Sequence, residues 1–288
     1  MKFEINSSDI NFNGKDLKSF FDRINDACAK TKTSYFIVGA FARDLVLENI
    51  FNETTGIATK DIDIAIRMND WEKFDSFITY LKLTHGFKNG KVAHEFISPE
   101  EIFTDIIPYG QIESNRLISF PLQDNRAINM LGFQEIYDST LEIVLDSETE
   151  LKVASIEGIA ILKLIAWKDR KPASISEKHT RDIGFLIKAY FDAMVEDFAV
   201  EFSDLFDEED FDPLTCGARA LGRRIKQLIN MTLTNELETE LNNLFEELVV
   251  SEDNSLFVIQ LSNAFRWKYP LALKIVKHLI LGFQEIKK

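Results

Sequence analysis

The run DIDIAI sets two aspartates in alternation with isoleucines. Side chains alternate across a β-strand, so Asp61 and Asp63 would share one face while Ile62, Ile64 and Ile66 share the other. The isoleucine face can lie against a hydrophobic core, which leaves both carboxylates on the opposite side. The run therefore predicts a strand with one apolar face and one acidic face.

Two carboxylates this close repel each other and raise each other's pKa unless a cation lies between them. Mg²⁺ suits such a pair because it prefers oxygen ligands, keeps several waters and completes its shell with substrate phosphates. We therefore predict a Mg²⁺ (or Mn²⁺) site at Asp61 and Asp63. The alternative interpretation is a half-exposed strand whose polar face carries two acids without a metal.

The surrounding segments favour the metal site. YFIVGAFARDLVL predicts a strand that ends at Gly39 and a helix that follows it. The first backbone N–H groups of a helix can receive a phosphate, and a glycine there permits close approach. Asp105, in IFTDIIPY, lies on a later apolar strand that could pair beside the first two acids. Three such carboxylates would form the two-metal arrangement that moves a nucleotidyl group.

These motifs resemble a known family. VGAFARDLVL followed by TKDIDIAI is similar to the nucleotidyltransferase superfamily built on the polymerase-beta-like fold. The broader pattern resembles predicted bacterial nucleotidyltransferases of the AbiEii-like toxin group. The resemblance covers roughly the stretch from Tyr35 to Tyr190. It implies a toxin–antitoxin or phage-defence setting, ATP or another NTP as substrate, and a phosphate-cradling pair at Gly39 and Ala40.

The resemblance also extends to two later residues, Lys163 and Asp182. It implies that Lys163 holds the triphosphate and that Asp182 orients it or serves as a base. The predicted catalytic residues are Asp61, Asp63, Asp105, Lys163 and Asp182, of which the first three are the metal ligands. The predicted nucleotide-binding residues are Gly39, Ala40, Arg43, Lys60 and Lys168.

The chain departs from the family pattern at several places. Ala40 replaces the second Gly or Ser of the phosphate-cradling pair, and DNRAINML only faintly echoes the RRDxTINAL segment of tRNA-nucleotidyltransferases. No base-selecting EDxxR segment is present. A CCA-adding role is therefore not expected. For Arg43 and Asp44, bracing of the loop and an ordinary surface ion pair both remain open.

The charge balance limits the partners. The chain has 33 basic and 47 acidic residues, a net charge of −14, which argues against a broad DNA- or RNA-binding face. The densest basic stretch could still focus an anionic substrate; the alternative is lysines spread along two helix faces. Its members are Lys163, Lys168, Arg170, Lys171, Lys178, His179 and Arg181. The basic residues of ARALGRRIKQ are expected to form a solvated helix face.

The pattern of elements predicts an α+β protein. A nucleotidyltransferase-like domain, residues 1–150, would hold a mixed β-sheet with flanking helices, and a helical domain, residues 151–288, would complete the substrate cleft. Helices are expected over DLKSFFDRINDACAK and NDWEKFDSFITYLKL, the second capped by Asn69. Strands are expected in KVAHEFI and IFTDIIPY and, more weakly, in FQEIYD, LEIVLD and LKVAS.

Other features suggest the compartment. Cys28 and Cys216 form no CxxC pair and are expected to be buried free thiols in a reducing cytoplasm. We expect no signal peptide and no membrane-spanning helix, because no sufficiently long apolar run is present. The three tryptophans are expected in the core, and Trp167, near Lys163, could also stack on a base.

Three interpretations of the function follow. The first is a cytoplasmic, metal-dependent enzyme that transfers an NMP from an NTP to a hydroxyl acceptor such as an RNA end, a protein or a small molecule. The second is a non-catalytic nucleotide-binding or interaction module on the same fold, which the Gly39–Ala40 pair favours. A helical adaptor with a coincidental acid pair is a third, simpler alternative.

Overall fold

The computed structural model describes residues 2–53, 59–120, 127–169, 173–193, 200–206, 211–231, 235–249 and 254–285, with the side chains of 173–175 excepted. The contacts divide the chain into two compact units. The first comprises Met1–Ile50 and Thr54–Ser155, and the second Phe51–Glu53 and Ile156–Lys288. The predicted boundary at residue 150 falls within the last strand of the first unit, whose Leu151 and Val153 are buried.

The first unit is built on a mixed eight-stranded sheet, in the order β1-β9-β10-β2-β3-β6-β5-β4. Strands β2 and β3 are antiparallel, whereas β3 and β6 are parallel. A separate two-stranded sheet pairs β7 with β8. The strands are β1 (Lys2–Ile5), β2 (Tyr35–Val38), β3 (Asp61–Arg67), β4 (Lys88–Asn89), β5 (Glu95–Ile97), β6 (Phe103–Tyr109), β7 (Leu117–Ile118), β8 (Ile128–Asn129), β9 (Leu141–Leu145) and β10 (Thr149–Val153).

Four described helices accompany this sheet. They are α1 (Leu17–Thr31), α2 (Gly39–Asn49), α3 (Trp71–His85) and α4 (Phe133–Tyr137). The helix predicted over DLKSFFDRINDACAK is confirmed as α1, in which Phe20, Phe21 and Ile24 are fully buried. The predicted cap of α3 was wrong by one residue: the carboxylate of Asp70, not Asn69, accepts a hydrogen bond from the backbone N–H of Lys73.

Two other predictions of local structure were wrong. The weak strand signal in FQEIYD belongs to helix α4, which buries Phe133 and Ile136, three residues apart and hence on one helical face. Strand β1 was missed, because its short sequence has little local signal and it is held by parallel pairing with the distant β9. In KVAHEFI only the last part, β5, is extended.

The second unit is helical in its described parts. The helices are α5 (Ile156–Asp169), α6 (Ala173–Ala193), α7 (Pro213–Asn230), α8 (Glu236–Val249), α9 (Leu256–Phe265) and α10 (Tyr269–Gln284). Helix α9 was not predicted from the sequence. The mixed sheet with flanking helices, followed by a helical part, confirms the predicted α+β class. None of the helices in the described parts has the length and hydropathy needed to cross a membrane.

Small residues bring two of these helices into backbone contact. A Cβ at Gly222 in α7 would lie 2.1 Å from the carbonyl oxygen of Leu279, and one at Gly282 in α10 would lie 2.0 Å from that of Arg219. Any larger side chain would force the helices apart. The two glycines therefore set the close packing of α7 on α10.

A buried polar network ties α5, α6 and α9 together. The Gln260 side-chain oxygen accepts hydrogen bonds from Trp167 Nε1 (2.9 Å) and Thr180 Oγ1 (2.8 Å), and its amide donates to Ser176 Oγ (2.9 Å). Trp167 is 3% exposed and packs edge-to-face on Phe257. The indole is therefore part of the core and presents no face on which a base could stack.

The basic residues of ARALGRRIKQ do not form a solvated face, so that prediction was wrong. Arg223 is buried, and its guanidinium donates to Asp204 (2.6 and 2.8 Å) and to Glu285 (2.5 Å). Arg219 donates to the other oxygen of Glu285 (2.6 Å). The hydrogen bonds from Arg223 hold the pKa of Asp204 below its ordinary value of 3.8. The network fastens the end of α10 to α7.

Arg223→Gln is expected to lower the free energy of unfolding at neutral pH by about 2 kcal/mol, because charge-assisted hydrogen bonds to two carboxylates are lost. A carboxylate with a lowered folded pKa stabilises the protein above its unfolded pKa, and this stabilisation is lost as the pH falls through the folded pKa. The difference between wild type and variant should therefore shrink below pH 3.8. Denaturant unfolding at several pH values measures both effects.

The matched control is Arg181→Gln, on an exposed position of α6, which should change stability by less than about 0.5 kcal/mol. A wild-type–variant difference at Arg223 that stays constant through the acid range would show that Asp204 does not contribute.

Both cysteines are free and buried, as predicted. Burial raises the pKa of the Cys28 thiol to about 12 and also raises that of Cys216. Because the thiolate is the reactive form, neither thiol should react with a disulfide reagent in mildly alkaline buffer while the protein is folded. Both should react after denaturation in guanidinium chloride. Rapid labelling of native protein would contradict this burial.

Candidate active site

The strand register brings two of the predicted acids together. Asp63 on β3 is the direct cross-strand partner of Asp105 on the parallel strand β6, and Asp105 is in turn the partner of Glu95 on β5. Directly paired residues point to the same face of a sheet, with strands about 4.8 Å apart. The side chains of Asp63 and Asp105 therefore leave the sheet side by side. Asp61 lies one step along the same face, beside Phe103.

The start of helix α2 lies directly against one member of this pair, Asp63. Gly39, its first residue, has a φ of +76°, and a Cβ built on it would lie 1.8 Å from Oδ2 of Asp63. The Asp63 carboxylate therefore occupies the space that any other side chain at position 39 would need. The preceding residue, Val38, makes no side-chain cap to the helix. The positive end of the helix dipole thus lies beside a carboxylate, a favourable arrangement.

The third predicted ligand is arranged differently. Asp61 is exposed, and its Oδ1 accepts a hydrogen bond from Thr59 Oγ1 at 3.1 Å. Within the described part of the chain, no three His, Cys, Asp or Glu side chains are grouped so as to hold a metal ion. Asp61, Asp63 and Asp105 share a face, but their side chains do not form a three-ligand cluster. The donor set fits a divalent ion bound by two carboxylates together with substrate phosphates.

Sequence reasoning missed one neighbour of this pair. His94, just before β5, lies with Nε2 3.9 Å from Oδ2 of Asp105. Its ring also packs at 5.2 Å from the ring of Phe120. The sequence signal was present in HEFI and IFTD, two short apolar runs separated by a turn that could form a hairpin.

Arg43 is not the surface ion pair considered from the sequence. It is 2% exposed, and its Nε donates to Oδ1 of the adjacent Asp44 at 2.7 Å. The guanidinium is therefore buried, where it can brace α2 but not reach solvent. Lys60, by contrast, is exposed directly before β3, and Ala40 is half-buried in the first turn of α2.

The predicted residues of the second unit bind each other. Nζ of Lys163 on α5 lies 2.6 Å from Oδ2 of Asp182 on α6, and both side chains are nearly buried. Lys168 binds Glu240 of α8 at 2.7 Å. These ion pairs offset the positive charge of two members of the basic stretch, Lys163 and Lys168.

The other described members of the basic stretch differ in their exposure to solvent. Lys178 and Arg181 are exposed, whereas His179 is buried. Arg170 and Lys171 lie outside the described residues, as do the first three residues of DNRAINML.

Comparisons with known proteins gave structural similarity only. No family model and no curated protein matches the chain. It is similar to a lincosamide antibiotic adenylyltransferase solved with lincomycin, at 17% identity and a TM-score of 0.36, over 60% of this chain and 98% of that one. It is also similar to an antigenic nucleotidyltransferase-like protein from Paracoccidioides brasiliensis, at 15% identity and a TM-score of 0.39, over 78% and 93%.

A third similarity is to the Thermotoga maritima CCA-adding enzyme in complex with tRNA, at 12% identity and a TM-score of 0.27, over 94% of this chain and 80% of that one. The three solved proteins are nucleotidyltransferases or nucleotidyltransferase-like. At these TM-scores the site must be interpreted from the geometry of the chain itself.

Replacing Gly39 should test the contact at the start of α2. Gly39→Ala imposes the strain of a positive φ, about 1–2 kcal/mol, and in addition drives a methyl group into the Asp63 carboxylate. Gly14 offers a matched control, since its φ is +67° and a Cβ there would meet nothing within 4 Å. We expect Gly39→Ala to lower the free energy of unfolding clearly more than Gly14→Ala.

The double variant Gly39→Ala/Asp63→Ala should recover part of this loss, because the clash is removed while the backbone strain remains. Residues in contact give coupling energies of about 0.5–3 kcal/mol in such cycles. Additive losses would mean that the two groups do not touch.

Proposed function

We propose that the protein is a divalent-metal-dependent nucleotidyltransferase that moves an NMP from an NTP to a hydroxyl acceptor. One observation carries the proposal: the Asp63 and Asp105 side chains emerge together from paired strands, and the Asp63 carboxylate lies against the glycine that begins α2. Two acids and a helix start in one place suit a metal-bound triphosphate.

The proposed role of each residue follows from its position in the site. The first backbone N–H groups of α2, at Gly39 and Ala40, would receive phosphate oxygens, and the missing side chain at Gly39 leaves room for the Asp63 carboxylate beside them. Asp63 and Asp105 would hold Mg²⁺ or Mn²⁺, with Asp61 as a further oxygen donor. The bound ion would offset phosphate charge and align the substrate oxygens.

Asp105 lies on the side of the pair that is away from α2, which makes it the carboxylate suited to the acceptor. It would accept the proton of the acceptor hydroxyl, whose oxygen attacks the α-phosphorus in line as pyrophosphate leaves. The new bond joins the acceptor oxygen to the α-phosphorus. The bond that breaks joins that phosphorus to the bridging oxygen of the β-phosphate.

Lys163 and Asp182 are proposed to act as a pair. Their proposed roles, Lys163 in holding the triphosphate and Asp182 in orienting it, come from the resemblance; within the second unit, Nζ of Lys163 lies 2.6 Å from Oδ2 of Asp182. The buried Arg43 is assigned to bracing α2, and Lys168 to its ion pair with Glu240. Lys60, exposed beside β3, remains a proposed phosphate contact.

The acceptor remains open between an RNA end, a protein and a small molecule, and the toxin or defence role remains a proposal from the resemblance. The net charge of −14 favours acceptors that need no broad basic surface.

A nucleotide-binding module without catalysis is the second candidate. Two observations favour it: Ala40 at the second position of the phosphate-cradling pair, and the absence of a three-ligand cluster within the described residues. A binding protein needs the helix start but not a complete set of metal ligands.

The test is transfer of α-labelled NTPs to a panel of tRNA, protein and sugar acceptors, with and without Mg²⁺ or Mn²⁺. Wild type should label an acceptor only with the metal present. Asp63→Asn and Asp105→Asn should each lower the rate by about 100-fold or more, because each removes a charged oxygen from the reacting centre. The control is Asp75→Asn, an exposed acid on α3, which should match wild type.

Nucleotide binding by calorimetry separates the two candidates. Metal-dependent binding of ATP with no labelling across the panel would select the binding module. Equal binding and labelling by Asp63→Asn and Asp75→Asn would refute the proposed site.

A further inference from the structure

His94 lies beside the proposed metal site but is not one of its proposed ligands. Its Nε2 lies 3.9 Å from Oδ2 of Asp105, a distance beyond a direct hydrogen bond that a small torsion of either side chain would close. The two side chains are 25% and 29% exposed, so a water could also bridge them.

The position of His94 is fixed from two sides. Its carbonyl oxygen accepts a hydrogen bond from the backbone N–H of Ile106, the residue after Asp105, at 2.8 Å. Its ring packs against Phe120, tilted by 38°, and Phe120 packs edge-to-face on Trp71 at the start of α3. The imidazole is therefore held beside the carboxylate by backbone and by aromatic packing.

The outer oxygen of a ligating carboxylate usually has a hydrogen-bond partner that orients it, and removal of that partner weakens metal binding or activity by about 10–100-fold. Glu95, the β5 partner of Asp105, does not supply this donor, because a carboxylate only accepts hydrogen bonds and its Oε1 accepts from the N–H of Lys91 at 2.7 Å. We propose that His94 is the positioning residue of Asp105, directing the carboxylate toward the divalent ion through a ring nitrogen. This inference rests on the proposed function.

Mn²⁺ alone, followed by the electron paramagnetic resonance signal of the free ion, tests the inference without needing an acceptor. His94→Ala should raise the Kd for Mn²⁺ by about 10-fold. His94→Gln, which keeps a side-chain donor, should recover most of the affinity. A loss of the same size in His94→Gln and His94→Ala would overturn the inference, because a side-chain donor at position 94 would then not be what orients Asp105.

The chain offers a matched control. His85 also places Nε2 against an aspartate, Asp26, at 2.8 Å, but on the surface between α1 and α3. His85→Ala should leave the Kd for Mn²⁺ unchanged. Thermal unfolding of both alanine variants checks that neither result comes from loss of structure.

The outcomes separate the two proposals. If Asp63→Asn and Asp105→Asn weaken Mn²⁺ binding while His94→Ala behaves like His85→Ala, the role of His94 is refuted and the proposed function stands. If wild type binds Mn²⁺ no better than the two aspartate variants, both proposals fail.

Discussion

The parallel pairing of β3 with β6 is the interaction on which the site depends. It runs the whole length of both strands and places Asp63 beside Asp105. Like charges directly opposite each other on a sheet are unfavourable, and the isoleucines behind them must supply the stabilisation. Ile62, Ile64 and Ile106 are fully buried. A one-residue slip of either strand would turn an acid into this core, so the hydrophobic face fixes the register and the register fixes the acid pair.

Part of the proposed site could be predicted from local sequence patterns. The alternation in DIDIAI shows which residues share a face, and the glycine after YFIV marks where the helix begins, because both signals involve neighbouring residues. The position of Asp105 beside Asp63 was inferred only from the apolar residues that flank it. The local sequence does not determine which strands pair. His94 was missed for the same reason: its contact with Asp105 exists only after β5 folds back onto β6.

Charged residues were harder to interpret than apolar ones. In the sequence Lys163, Asp182 and Arg223 are separate charges, and their density suggested a substrate-steering surface or a solvated face. In the fold Lys163 binds Asp182, and Arg223 joins Asp204 to Glu285. The partners lie 19 to 62 residues away along the chain. Charge partners are chosen by tertiary packing, and a buried arginine requires them because an unpaired buried charge is costly.

The contact between Gly39 and Asp63 favours the proposed site over an ordinary half-exposed strand. A strand that merely carried two acids would have no reason to place one of them within the space of a neighbouring Cβ, at a backbone conformation that favours glycine. The arrangement costs conformational freedom at Gly39 and brings a negative group to the helix start, where a phosphate would otherwise be drawn. A cation bound at the carboxylates would remove that competition, because it neutralises the acid and attracts the phosphate to the same place. The geometry therefore makes structural sense as one half of a metal-and-phosphate site, in which the acids and the helix start act on a single ligand.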